Sequence, residues 1–140
     1  MPDFPVELFG KWTNERNEGF DEFLDLKKTP WLIKKALKLS GHVMEYKKAD
    51  TEGRYISQHQ VLGQTITAEF ALGEKNERVG MDKIKRTITM TVSEDGKSLV
   101  ENNISDEGVE EMYTYNIQNG FLVQEYHSGD VTYKRYFKLK

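Results

Sequence analysis

Alternating apolar and polar residues run through most of the chain after Gly41, and this period of two predicts β-strands of roughly 6–10 residues. Short turn signals separate the strands: Glu52-Gly53, Leu62-Gly63, Gly73-Glu74, Asp95-Gly96, Glu107-Gly108, Asn119-Gly120 and Gly129-Asp130. With one more strand at residues 8–13, the pattern predicts about nine or ten strands. The fold class that follows is all-β, an up-and-down antiparallel sheet that closes into a barrel and so removes its exposed edges.

A helical period interrupts the strands at residues 18–40, where a short helix-turn-helix is predicted. The apolar residues that share one face of the first helix are Phe20, Phe23 and Leu24. The second helix is predicted at residues 31–39, with Thr29 as its N-cap and Pro30 at its first position. The apolar face predicted for this second helix consists of Leu32, Ala36 and Leu39.

The composition limits the classes of protein that are compatible with this pattern. The 140 residues, 16.3 kDa, correspond to one domain over residues 1–140. The formal charge, 20 − 23 = −3, excludes the basic footprint of a nucleic-acid binder. Because the chain has no cysteine, it forms no disulfide, thiol nucleophile or Cys-based zinc site.

The first residues lack the basic start and apolar core of a secretory signal. We therefore expect a cytoplasmic protein. Secretion is the alternative, because a chain from which a signal had been removed would look the same.

One face of the last predicted strand places a charge inside the barrel. The residues of that face are Val131, Tyr133, Arg135, Phe137 and Leu139. An arginine on an inward face is costly unless an anion or several acceptors meet it. Arg135 therefore either pairs with an internal glutamate or tyrosines, or binds an acidic ligand.

Other strands also direct polar groups inward. Arg86 alternates with apolar residues on one strand, Tyr113 and Tyr115 lie on a second, and Gln124 on a third. A dry, close-packed core would avoid so many buried hydroxyls and amides. The pattern indicates a cavity that holds water and an amphipathic guest.

Several segments, in order, resemble the intracellular lipid-binding proteins, that is, the fatty-acid-binding proteins, over essentially the whole chain. The matching segments are residues 9–12 (FGKW), 19–24 (GFDEFL), 69–74 (EFALGE), 84–89 (IKRTIT), 95–97 (DGK) and 131–137 (VTYKRYF). Residues 15–18 (ERNE) and 37–41 (LKLSG) resemble the nematode branch of the family.

The resemblance implies a ten-stranded barrel under two helices, with a fatty acid inside. It also implies that an Arg-x-Tyr pair and a second arginine hold the carboxylate. Arg135 matches the first arginine, whereas Phe137 stands at the tyrosine and Tyr115 at the second arginine. The candidate ligand-binding residues are Arg135, Tyr115, Phe137, Tyr133, Phe20 and Phe70. No catalytic residue, metal or cofactor is predicted.

A closed barrel needs an entrance, and the helices with the turns around Gly63 and Gly80 are the expected lid. The candidate portal residues are Trp31, Ile33, Leu37 and Gly63. Five lysines accompany them, namely Lys27, Lys28, Lys34, Lys35 and Lys38. This cluster is either a solvated helix face or a surface that docks transiently on anionic membranes.

Two other functional classes stay open. An enzyme is disfavoured because His42, His59 and His127 lie on separate segments, and a carboxylate run that includes Glu111 is typical of a solvated turn. A barrel with a filled core could instead act as an interaction module through its surface. The function we expect is non-catalytic binding and transport of a long-chain fatty acid by a monomer, with no nucleic-acid partner.

Overall fold

The computed structural model describes residues 1–80, 83–128 and 130–140. A 3₁₀ turn, Val6–Leu8, precedes the first strand, and the helices are α1 (Phe20–Leu26) and α2 (Trp31–Ser40). The strands are β1 (Gly10–Glu18), β2 (His42–Lys48), β3 (Arg54–Val61), β4 (Gln64–Ala71), β5 (Lys75–Val79), β6 (Lys85–Val92), β7 (Leu99–Ser105), β8 (Glu110–Gln118), β9 (Phe121–Ser128) and β10 (Val131–Leu139).

All ten strands form one antiparallel sheet in the order β4-β3-β2-β1-β10-β9-β8-β7-β6-β5. Consecutive strands are neighbours, and β1 also pairs with β10, with Trp12 opposite Leu139. In the described part of the chain no ladder joins β4 to β5, so the barrel is nearly closed. The predicted all-β, up-and-down barrel with a helical pair is confirmed.

The predicted alternation on β10 is confirmed at its centre. Tyr133, Arg135 and Phe137 are buried, whereas Lys138 lies at the surface. The inward assignment of Leu139 was wrong, because the strand ends at this residue and leaves its side chain 61% exposed.

An apolar floor fills the end of the barrel that lies away from the helices. Phe4 stacks on Phe9 and on Tyr55, with ring centroids 4.8 and 4.7 Å apart. The Trp12 indole N–H donates to the carbonyl of Leu8 at 3.0 Å. Buried apolar packing is therefore concentrated at this end, and polar side chains line the interior nearer to the helices.

Helix α2 begins at Trp31 as predicted, but its N-cap differs from the prediction by one residue. Pro30 occupies the N-cap, and no side chain caps the helix. The reason is that Pro30 is extended, with a ψ of 142°, while its carbonyl already accepts the N–H of Lys34 at 3.0 Å. Thr29 therefore lies one position too early to be the N-cap.

The predicted apolar face of α2 was also wrong. Leu32 and Leu39 are 68% and 77% exposed, and α2 has no fully buried residue. The partly buried Leu37 of this helix packs against a cluster formed by Phe20 and Leu24 of α1 and by Tyr126 and Tyr133 of the barrel. The predicted face of α1 is confirmed, since Phe20 and Leu24 are buried.

Candidate functional site

Arg135 lies inside the barrel with 7% of its surface exposed. Its Nε donates to Oδ1 of Asn17 at 3.1 Å, one Nη donates to Oδ1 of Asn14 at 3.4 Å, and the other contacts Nδ1 of His42 at 3.0 Å. The guanidinium also lies 4.2 Å from the ring centroid of Phe20. Burial lowers the pKa of Arg135. In the described part of the chain its hydrogen-bond partners are all neutral amides or imidazole.

A β-bulge brings the two asparagines to the same side of β1. Asn14 pairs with Phe137 and Asn17 pairs with Arg135, with the register shift between Asn14 and Arg16. Strict alternation would place residues three apart on opposite faces, so the bulge is needed for both amides to reach the guanidinium.

His42 and His59 extend this network across β2 and β3. Arginine only donates, so Nδ1 of His42 accepts from Arg135, and Nε2 of His42 carries the hydrogen. That nitrogen then donates to Nδ1 of His59 at 2.9 Å. Burial is the main cause that lowers the pKa of His42 to about 2 and that of His59 to about 4. Both imidazoles are therefore neutral at neutral pH.

A second network starts at Tyr133, two residues before Arg135 on β10, and extends across β9 and β8 to β7. Tyr133 donates its hydroxyl to Oε1 of Gln124 at 3.2 Å, and Nε2 of Gln124 donates to the Tyr115 hydroxyl at 3.1 Å. Tyr115 donates to Oε1 of Glu101 at 3.3 Å, and Nδ2 of Asn103 donates to Oε2 of Glu101 at 2.9 Å. Burial raises the pKa of Glu101. The hydrogen bonds of Tyr115 thus connect it to Glu101 and Gln124, in a network separate from that of Arg135.

The helical lid is tied to the barrel wall by an internal carboxylate. Glu111 is buried, accepts from the Tyr126 hydroxyl at 2.6 Å, and forms a 2.6 Å ion pair with Lys27 at the end of α1. Nε of Arg86 lies 3.9 Å from the same carboxylate. The assignment of Glu111 to a solvated turn was wrong, because β8 begins at Glu110 and its alternation turns Glu111 inward.

The other candidate ligand residues fall into two groups. Phe20, Tyr133 and Phe137 surround Arg135: the Phe20 and Tyr133 rings meet edge to face at 5.4 Å, and Phe137 lies 5.5 Å from the guanidinium. Phe70 is fully buried in the apolar floor. The structure therefore brings four of the six predicted residues together, including Arg135, and places Phe70 and Tyr115 elsewhere in the interior.

The candidate portal residues lie at the helical end. Trp31 is 72% exposed, Ile33 is also exposed, and Leu37 is half-buried. Gly63 lies in the turn between β3 and β4, beside a groove of about 380 Å³ that His42 also lines. The groove thus places the predicted portal turn next to the imidazole that contacts Arg135.

The lysines of the lid are largely engaged with acids. Lys34 pairs with Asp25 and Lys38 with Asp21, both at 2.8 Å. Lys27 is bound by Glu111. The exposed surface of α2 is consequently more apolar than the sequence predicts.

Among the residues that the structure describes, no three His, Asp or Glu side chains are grouped so that they could hold a metal ion. Within the same residues, no helix combines the length and apolar character that a membrane crossing requires.

Comparisons with known proteins agree with this architecture. No family model matches the chain. Over 138 residues, 97% of this chain and 84% of the relative, it is 30% identical to fatty acid-binding protein homolog 3 of Caenorhabditis elegans. It is 27% identical to a fatty acid-binding protein homolog of Ascaris suum over 96% of this chain and 85% of the relative.

Solved structures share the fold. As-p18, an extracellular fatty acid binding protein, superposes with a TM-score of 0.87 at 25% identity, over 98% of this chain and 99% of that one. The Schistosoma mansoni fatty acid binding protein in complex with arachidonic acid superposes at 0.85 with 12% identity, over 99% of both chains. The ten-stranded barrel under two helices is the fold of small lipid-binding carriers. The chain belongs to the fatty-acid-binding protein family, and its relatives in Caenorhabditis and Ascaris confirm the nematode resemblance.

The buried histidines predict a loss of stability in acid. Their pKa values in the folded chain lie below the ordinary value of 6.5. The unfolded chain therefore binds more protons in acid than the folded chain does. Because of this difference, the free energy of unfolding falls as the pH drops below about 6.5. Each histidine should lower the free energy of unfolding by about 2 kcal/mol between about pH 7 and about pH 5. Urea unfolding at several pH values across this range measures the loss of unfolding free energy.

His59→Gln should remove about half of that loss. His127→Gln is the matched control, because the His127 side chain is 43% exposed, and it should keep the full loss. Identical pH profiles for wild type and His59→Gln would contradict the neutral-imidazole assignment.

The ion pair between Lys27 and Glu111 predicts that the lid is coupled to the barrel. Lys27→Met removes the lysine and leaves a buried carboxylate with fewer partners, which should lower the free energy of unfolding by about 3 kcal/mol. Lys28→Met is the control, since Lys28 is the exposed neighbour. Equal urea midpoints for the two variants would show that the pair does not secure the lid.

Proposed function

We propose that this protein is a non-catalytic carrier that binds a long-chain fatty acid inside the barrel, with the carboxylate at Arg135. The observation that supports this most is a buried guanidinium whose described partners are all neutral. A buried charge is costly without a counter-charge, and an acidic ligand supplies one. The relative in Caenorhabditis elegans, a fatty acid-binding protein homolog at 30% identity, supports the same ligand class.

The guanidinium has donors left for a carboxylate. Arginine carries five N–H groups, and three of those of Arg135 point to Asn17, Asn14 and His42. One N–H therefore remains on each terminal nitrogen. Phe137 supplies no hydroxyl where the family has tyrosine, and Tyr133 donates to Gln124. In this proposal Arg135 alone contacts the carboxylate of the ligand. The aromatic side chains around it are Phe20, Tyr133 and Phe137.

The acyl chain supplies most of the affinity in this proposal. Burying ~15 methylene groups at about 0.8 kcal/mol each contributes roughly 12 kcal/mol, against an association cost of roughly 4–15 kcal/mol. A charge-assisted hydrogen bond to Arg135 adds about 1.5–3 kcal/mol. The arginine then determines orientation and head-group choice, and the chain determines strength. Tyr115 and Phe70 are proposed to line the chain rather than the head group.

Arg135→Ala should weaken oleate binding about 10- to 100-fold without abolishing it, because it removes the charged contact and keeps the apolar lining. Methyl oleate, which has no charge, should bind both proteins alike. Displacement of a fluorescent fatty acid measures both ligands. Arg16→Ala is the control, since Arg16 lies outside the barrel over Tyr136. Unchanged oleate affinity in Arg135→Ala would refute the carboxylate role.

An interaction module with a filled barrel is the main alternative, and catalysis on a lipid substrate is a further one. Native mass spectrometry of the purified protein tests the proposal directly. A carrier should retain a fatty acid at one molecule per monomer. An interior that stays empty and takes up no added oleate would favour the module, and conversion of an added lipid would favour an enzyme.

We further propose that ligands enter at Trp31, Ile33, Leu37 and Gly63 and exchange at membranes through α2. Trp31, Leu32 and Leu39 are strongly exposed on this helix. Because Lys34 and Lys38 pair with aspartates, the apolar side chains would make most of the membrane contact.

The double variant Trp31→Ala with Leu32→Ala should slow transfer of a fluorescent fatty acid to anionic vesicles several-fold. Lys34→Glu with Lys35→Glu should slow it less, since Lys34 is already paired. Val6→Ala is the control, because Val6 is exposed beyond the opposite end of the barrel. Rates that are equal in all variants and independent of vesicle concentration would exclude docking through α2.

We propose that the protein is a monomer and that it is located in the cytoplasm. Export is the alternative, because As-p18, which has the same fold, is an extracellular protein. Because the chain has no cysteine, its folding requires neither a reducing nor an oxidising compartment. Fractionation of cells that express the native gene distinguishes the two locations.

A further inference from the structure

Two buried amide atoms in the barrel wall lack hydrogen-bond partners among the residues that the structure describes. They are Nδ2 of Asn76 on β5 and Oδ1 of Asn103 on β7. Asn103 is a fully interior residue, with 6% of its surface exposed. One orphan atom is a donor and the other is an acceptor.

The strand register places these two amides on either side of one residue. Asn76 pairs with Ile88, and Ile88 pairs with Asn103, so all three lie in one row on the inner face. Two strand spacings separate the asparagines, which corresponds to about 10 Å between their Cα atoms. Ile88 between them is buried and has no polar side-chain atom.

The orientation of Asn103 is fixed by its neighbour. Its Nδ2 donates to the Glu101 carboxylate at 2.9 Å, and that carboxylate also accepts from Tyr115. A flipped amide would place Oδ1 against carboxylate oxygens, which is unfavourable. The orphan acceptor of Asn103 is therefore a consequence of the second network.

A hydroxyl group has the two hydrogen-bonding roles that complement these atoms. A hydroxyl accepts from Nδ2 of Asn76 through its oxygen and donates its hydrogen to Oδ1 of Asn103. A carbonyl or carboxylate accepts only, and a methylene does neither. A plain acyl chain across this row offers no partner to Nδ2 of Asn76 or to Oδ1 of Asn103.

The row lies part-way along the interior from Arg135. Leu99, Tyr115, Gln124 and Arg135 are cross-strand neighbours. Asn103 follows Leu99 by four positions on β7, roughly 13 Å toward the helical end. A chain held by its carboxylate at Arg135 would pass this row between its two ends.

We propose that Asn76 and Asn103 form a second polar subsite that holds a hydroxyl group on the ligand's chain, so that this carrier prefers hydroxylated long-chain fatty acids. This inference rests on the proposed function. Its recognition elements are separate from Arg135, so the two can fail independently.

The probes are stearate and a set of monohydroxystearates with the hydroxyl at successive positions. In the wild type, one isomer should bind about tenfold more tightly than stearate, because it satisfies both amides. Asn76→Leu and Asn103→Leu should each remove that preference and keep stearate binding. Asn102→Leu is the matched control, because Asn102 is the exposed neighbour on β7, and it should keep the preference.

The outcomes separate the two proposals. If stearate binds but no isomer binds more tightly, or if the favoured isomer keeps its advantage in both leucine variants, the hydroxyl subsite is wrong and the fatty-acid carrier stands. If neither stearate nor any isomer binds the wild type, the carrier itself is wrong. Should Asn103→Leu fail to fold, the less buried Asn76→Leu decides the same question.

Discussion

The buried charge of Arg135 is the constraint on which the described interior most depends. A guanidinium taken out of water needs its donors satisfied, and here neutral groups on β1 and β2 satisfy three of them. The same contacts connect β10, where the arginine lies, with β1 beside it and with β2 beyond β1. The charge thereby fixes the tautomer of His42 and, through it, that of His59. An internal cation surrounded by neutral acceptors is an environment that suits an anionic guest.

The interior divides into regions of different chemistry. An apolar floor closes one end, the Arg135 network lies on the side of β1, β2 and β3, and the Glu101 network spans β7 to β10. The Lys27–Glu111 pair joins the mouth to the wall. This interior differs from a uniformly apolar cavity, because polar groups occur at several depths. Their positions give the barrel a chemical basis for distinguishing acyl chains that carry oxygen at different places.

Much of the fold follows from the local pattern, since alternation with a period of two decides which face of a strand is buried. That rule placed Arg135, Tyr133 and Phe137 inside. It could not supply the partners of Arg135, because the bulge between Asn14 and Arg16 changes the alternation where no proline or glycine marks it. The run of acidic residues led to the wrong assignment of Glu111 to a solvated turn. Its position on β8 turns the side chain inward instead. The outer face of α2 was missed because a helix across an opening is held by a few contacts rather than by a continuous stripe.

The seam between β4 and β5 has a mechanical consequence. Where the structure describes these two strands, no backbone ladder links them, whereas every other pair of neighbours around the barrel is laddered. Widening the wall at this seam would therefore break no interstrand ladder among the described residues, whereas widening it between any other two neighbouring strands would. A change in the diameter of the barrel would cost the fewest backbone hydrogen bonds here.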